Sequence, residues 1–161
     1  MPTLFYFLTW ACVTFVQVVV TPRLAIRGVF PDILIAVIIV IALRYGRLTG
    51  VWFAFALAFS IDLLDPQKLG WMTLLASFLA YGVGVIRETI YIENPWFESA
   101  MVLIGTFFYH VMYCFFPAPQ FFISNFSKMV AESFLIAVYT SVVIGIIIVI
   151  FRQRYGYRDL A

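Results

Sequence analysis

Six apolar runs follow one another along the chain, at Leu4–Val20, Val29–Leu43, Gly50–Leu64, Leu69–Ile86, Phe97–Phe116 and Met129–Phe151, parted where charge, proline or glycine gathers. None alternates apolar with polar residues as barrel strands do. In lipid every backbone amide needs a partner within the protein, so the pattern predicts helices. A spanning helix takes roughly 20 residues. The expectation is therefore an all-α integral membrane protein, a single transmembrane domain over 1–161 holding a compact bundle of about six helices. The second and third runs are short but can span if Arg44, Arg47 and Asp65 snorkel toward the headgroups or the bilayer thins locally, a reading preferred to a re-entrant pair.

Composition agrees: of 161 residues 65% are hydrophobic and 11% charged, and the mean hydropathy is +1.05, far from the balance of a soluble domain. The net charge of +2 is spread thinly, which argues against a nucleic-acid partner. Cys12 and Cys114 lie inside apolar runs without metal-ligand spacing and read as packed thiols. The first run lacks the basic lead and small-residue cleavage site of a signal peptide and is taken as a permanent helix.

Lys and Arg in alternate connections set the orientation. Arg44, Arg47, Arg87, Arg152, Arg154 and Arg158 collect on one side, and Arg23, Arg27, Lys68 and Lys128 on the other. The first side is expected to be cytoplasmic, with both termini there. Trp52, Trp96 and Tyr155 then serve as inner interfacial anchors and Trp71 as an outer one.

Acids in apolar runs need a reason, because one at a helix centre costs about 2.5–3.5 kcal/mol on insertion scales. Asp32, Asp62, Asp65 and Glu132 fall at outer helix ends beside Arg23, Arg27, Lys68 and Lys128, which reads as a neutralised outer rim. Asp32 follows Pro31 at the start of the second helix, as a capping carboxylate would. Asp62 and Asp65 share a helix face; ion pairs or helix-end hydrogen bonds fit them better than a metal, for which two ligands are few. His110, the single histidine, and Gln17 read as hydrogen-bonded packing groups between helices.

Small residues recur every fourth position at Gly46, Gly50, Ala54 and Ala58, ending on Asp62, and again at Ala76, Ala80 and Gly84. Such rows let helix backbones approach closely, so the third and fourth helices are expected to be neighbours. The Phe116–Phe126 segment, aromatic and Pro-rich, suits the outer interface. The last helix is expected to be apolar around its circumference, facing lipid or a partner.

Pro31-Asp32-Ile33-Leu34-Ile35, the basic turn Arg44-Tyr45-Gly46-Arg47, Gly50, Ile61-Asp62-Leu63-Leu64, Leu69-Gly70 and Ala80-Tyr81 occur in an order and spacing that resembles the rod shape-determining MreD family. The resemblance covers about Pro31 to Arg87 by motif and the rest by length and helix count. It implies a non-enzymatic scaffold subunit of the cell-elongation machinery in the bacterial inner membrane. That subunit would bind the bitopic protein MreC and stand beside MreB, RodA and a class B penicillin-binding protein, in support of rod shape and peptidoglycan synthesis. It also implies a fold like the substrate-binding subunits of energy-coupling-factor vitamin transporters. Pro31, Asp32, Gly50, Asp62, Leu63 and Gly70 match the family pattern, where they would shape the outer meeting point of helices two to four; Asp65 is a further structural or partner-docking candidate.

Two other classes compete with the scaffold. A vitamin-type uptake subunit is the alternative, but its Ala-x-x-x-Ala docking row is missing from a first helix that holds Ala11 alone. An intramembrane enzyme built on Asp62, Asp65 and His110 finds no H-E-x-x-H, G-x-S-x-G or phosphate-loop motif. Neither catalytic residues nor a cofactor are expected.

Overall fold

The computed structural model describes residues 2–25, 28–64, 70–89, 95–116 and 119–154, with backbone alone at 2–6, 95 and 151–154. The described residues form seven α-helices: α1 (Pro2–Phe15), α2 (Ile33–Tyr45), α3 (Arg47–Asp62), α4 (Trp71–Thr89), α5 (Pro95–Phe115), the short α6 (Pro119–Ser124) and α7 (Phe126–Arg154). No strand occurs among the described residues, so the chain is all-α. Among the described residues three stretches are long and apolar enough to cross a membrane: Phe7–Leu24, Trp96–Phe115 and Phe126–Ile150.

The first of these is not one continuous α-helix. After Phe15 the chain widens into a π turn at Val16–Val20 and then tightens into a 3₁₀ turn at Thr21–Leu24. Pro22 accounts for the change, because its ring cannot accept regular α geometry against the preceding turn and it has no amide to donate. The Thr21 amide donates instead to the Val16 carbonyl, closing the wider turn.

α2 is shorter than the run that predicted it, and α3 is shifted toward the N-terminus of its run without gaining a full turn. α2 holds 13 residues and α3 holds 16, because Asp32 stops α2 on one side and Gly46 separates the two helices on the other. Gly46 has φ +90°, a region open to glycine at little cost, so the chain reverses in one residue. A rise of 1.5 Å per residue makes α2 about 20 Å long, short of a hydrocarbon core of about 30 Å.

The core is built on α2, whose Leu34, Ile35, Ala36, Ile38, Ile39 and Ala42 are fully buried. It lies among α3, α4, α5 and α7. α3 and α4 form the most extensive pair, joined along the small-residue rows as expected. Gly50, Ala54, Ala58, Ala76, Ala80 and Gly84 are all buried. The rows are consumed inside the bundle, which removes them as a free surface for a partner.

α7 corrects the expectation of a helix apolar all round. Ser133, Ala137, Thr140 and Ile144 form a buried seam along it, spaced as the inward face of one helix. Phe134, Leu135, Val142 and Ile146 on its other faces are exposed. The expected interfacial segment contains α6, with Phe122 buried between Phe115 and Phe126 in edge-to-face contacts.

Two ion pairs mark the Arg-rich end. Arg44 meets Glu98 at 3.1 Å and Arg47 meets Glu88 at 3.3 Å. Both arginines are about half exposed, so each pair contributes at most about 1 kcal/mol.

Candidate functional site

Two polar nodes stand out in a bundle otherwise sealed by apolar side chains. The first forms where α3 hands over to α4. Asp62 is 4% exposed at the end of α3. Its Oδ2 accepts from the Gly70 amide at 3.1 Å, the Thr73 amide at 2.9 Å and the Thr73 hydroxyl. The first amides of a helix have no partner within it, and a carboxylate placed there satisfies them and meets the positive end of the dipole. Asp62 thus caps α4 from another helix. Gly70, at φ +91°, lets the chain turn so that its amide faces the carboxylate.

Neighbouring close contacts fix how α2, α3 and α4 stack on this node. A Cβ on Gly50 would stand 2.7 Å from the Ala42 Cβ, and one on Gly84 would stand 2.4 Å from the Arg47 Cα. Glycine is what allows both backbone crossings.

The second node is built around Asp32, 5% exposed. Its carboxylate caps α2 by accepting from the Ile35 amide at 3.1 Å, while its own amide donates to the Thr140 hydroxyl of α7 at 2.8 Å. Gln17, in the π turn, donates to Asp32 Oδ1 at 3.5 Å and accepts from the Leu34 amide at 3.2 Å and from the Thr21 hydroxyl at 3.4 Å. From α5, His110 Nε2 comes within 3.2 Å of Asp32 Oδ2. The distance is that of an ion pair, but the ring direction makes no hydrogen bond, so this buried nitrogen has no hydrogen-bond partner. One turn away on α5, the Thr106 hydroxyl is also buried without one.

The placement corrects the outer-rim reading. Asp32 and Asp62 are interior groups: one pairs with His110 and caps α2, and the other holds the start of α4. Of the expected rim only Lys128–Glu132 forms among the described residues, at 3.9 Å and largely exposed. Asp65, Arg27 and Lys68 lie outside the described residues. Pro31 is fully buried beside Asp32.

Sequence reasoning missed Thr73, Thr140 and the partnership of His110 with Asp32. A signal existed for two of them. Thr73 stands three residues after Gly70, where a helix start places its capping group, and Thr140 follows Ser133 by seven residues on one face of an apolar helix. Nothing in the linear order announces that α5 and the start of α2 meet.

No group of three or more His, Cys, Asp or Glu side chains is placed to hold a metal among the described residues. The more open surface is apolar. Phe55, Phe59, Leu74 and Phe78 line a shallow groove between α3 and α4, and Trp10, Trp52 and Ala56 line another between α1 and α3. No protein-family model, curated protein or solved structure matches this chain.

Proposed function

We propose that the chain is a non-enzymatic membrane scaffold of the bacterial cell-elongation machinery, crossing the inner membrane six times with both termini in the cytoplasm. In this reading α2 and α3 cross together with α1 and its extension, α4, α5 and α7. The short α2 and α3 serve as spans with Arg44 and Arg47 stretching toward the headgroups, and the chain that leads into α2 through Pro31 and Asp32 completes the second crossing. The bundle would share the architecture of the vitamin-binding subunits of energy-coupling-factor transporters, and its partner would be an MreC-like bitopic protein, within an assembly holding MreB, RodA and a class B penicillin-binding protein.

The observation that supports it is the work done by the residues that carry the MreD resemblance. Asp32, Gly50, Asp62 and Gly70 are the capping and close-packing positions that set α2, α3 and α4 on one another. A motif spent on shaping a bundle fits a protein whose product is a surface. The exposed Phe55, Phe78, Phe108, Phe134 and Ile146 around that bundle fit a protein solvated by lipid and by other membrane helices.

Depletion of the chain in its rod-shaped host is expected to give rounded cells with dispersed sidewall peptidoglycan synthesis, read by microscopy with a fluorescent D-amino acid. Rods of normal width and labelling after depletion would contradict the reading.

A further inference from the structure

We propose that Asp32 and His110 form a proton-binding site in the interior of the bundle, a carboxylate and an imidazole that hold one exchangeable proton between α2 and α5.

Depth comes first. Thr140, which receives the Asp32 amide, is the central residue of the 29-residue α7. α2 runs from Asp32 to the Arg44–Glu98 pair at the Arg-rich end, and its length of about 20 Å leaves Asp32 inside a hydrocarbon core of about 30 Å. Pro31 and Asp32, the non-helical residues just before α2, are buried by protein, the setting in which irregular backbone is tolerated within an apolar layer. A π turn faces Asp32 through Gln17, and single π turns recur at functional sites.

Charge comes second. Among the described residues His110 is the one cation-capable group within ion-pair distance of Asp32. The Asp32 side chain is 7% exposed and that of His110 13%, so an unneutralised carboxylate would be severely penalised. Oδ1 has donors in Ile35 and Gln17, which leaves Oδ2 and the unpartnered Nε2 of His110 facing each other at 3.2 Å. A proton on either atom, with a small turn of the ring, supplies the missing hydrogen bond. Carboxylate with imidazolium, and carboxylic acid with neutral imidazole, carry the same net charge. The proton can pass between them without charging the core, and its gain or loss alters the bond joining α2 to α5.

The titratable surroundings are few. α5 adds Tyr109, edge-on to the His110 ring, and Tyr113 stacked on Tyr109. α7 adds Tyr139, whose hydroxyl donates to the Leu24 carbonyl. Asp62 and Asp32 both lie within electrostatic reach of Tyr109. The π turn contributes Gln17 and the 3₁₀ turn after it Thr21, whose hydroxyl donates to Gln17; neither titrates.

His110 is the single histidine of the chain, so ¹⁵N-histidine labelling of the full-length protein, carried on a histidine-free affinity tag in lipid nanodiscs, reports on this ring alone. Between pH 5 and 9 the two ring nitrogens are expected to follow a one-proton curve, and Asp32→Asn to displace its midpoint at least tenfold in proton concentration. Asparagine is a good N-cap, so α2 keeps its start. Glu132→Gln, exposed on α7, should leave the midpoint within twofold. On the unmutated protein, ¹³C-carboxyl labelling of aspartate gives a second reading: one carboxyl carbon should move with the same midpoint as the ring nitrogens and be altered by His110→Gln. Ring nitrogens constant across the range, coincident curves for the unmutated protein and Asp32→Asn, or no carboxyl carbon moving with the ring would overturn the proposal.

Discussion

Gly84→Val is expected to destabilise the bundle by about 3 kcal/mol or more, while Gly82→Ala, half a turn away on the same helix, leaves it unchanged or slightly more stable. The contrast follows from what each new carbon meets. At Gly84 a Cβ would stand 2.4 Å from the Arg47 Cα, 2.5 Å from its Cβ and 2.8 Å from its backbone nitrogen. No rotamer relieves a clash with backbone, so α3 and α4 must separate, and overpacking typically costs 1–3 kcal/mol even where side chains can yield. Separation also loosens the contacts along Ala54, Ala58, Ala76 and Ala80. At Gly82 nothing lies within 4 Å, and alanine is favoured over glycine in a helix interior by up to about 1 kcal/mol. Thermal unfolding in one mild detergent, followed by circular dichroism, compares the two. Equal melting temperatures would mean that the close α3–α4 crossing is not what holds the fold.

Asp62→Ala is expected to cost about 3 kcal/mol. It strips the acceptor from the Gly70 amide, the Thr73 amide and the Thr73 hydroxyl in a site 4% exposed. Hydrogen bonds to a charged group contribute roughly 1.5–3 kcal/mol, and a buried donor left unmade adds its desolvation penalty. The three share one oxygen, so their losses do not simply add. Asp62→Asn, which keeps an acceptor, should cost about 1 kcal/mol. Hydrogen exchange localises the effect: amides at Gly70 and Thr73 should exchange faster in Asp62→Ala, with α5 and α7 little changed. Protection at α4's start equal to that of the unmutated protein would show that another group caps the helix.

The features behind these two effects were disclosed unevenly by the sequence. The pairing of α3 with α4 was legible because small residues at a spacing of four lie along one helix face whatever surrounds them. The capping role of Asp32 was legible because Pro31 and a carboxylate before an apolar run suit a helix start. Both depend on local geometry. By contrast, the reading of the acids as a rim assumed that a helix end coincides with a membrane surface. α2 departs from that assumption: it holds 13 residues, and the Asp32 that starts it is buried within the protein.

The partners of the polar groups were hidden for a related reason. Thr140 lies 108 positions from Asp32 and Thr73 lies 11 from Asp62, and such pairings are set by how helices cross. α7 shows the same limit. Isoleucine and valine on all sides mask a seam at Ser133, Ala137, Thr140 and Ile144, because in lipid a buried face need be no more apolar than an exposed one.

As a scaffold, the chain would act by presenting a membrane-embedded surface to another protein, with its small-residue rows already spent on its own assembly. Native mass spectrometry of the tagged chain, released from membranes at chromosomal expression, tests this most directly. The predicted result is a complex of fixed stoichiometry between this 18.4 kDa chain and a protein with one transmembrane helix and a mostly extracytoplasmic domain. The chain released alone, or carrying only a small-molecule adduct, would contradict it.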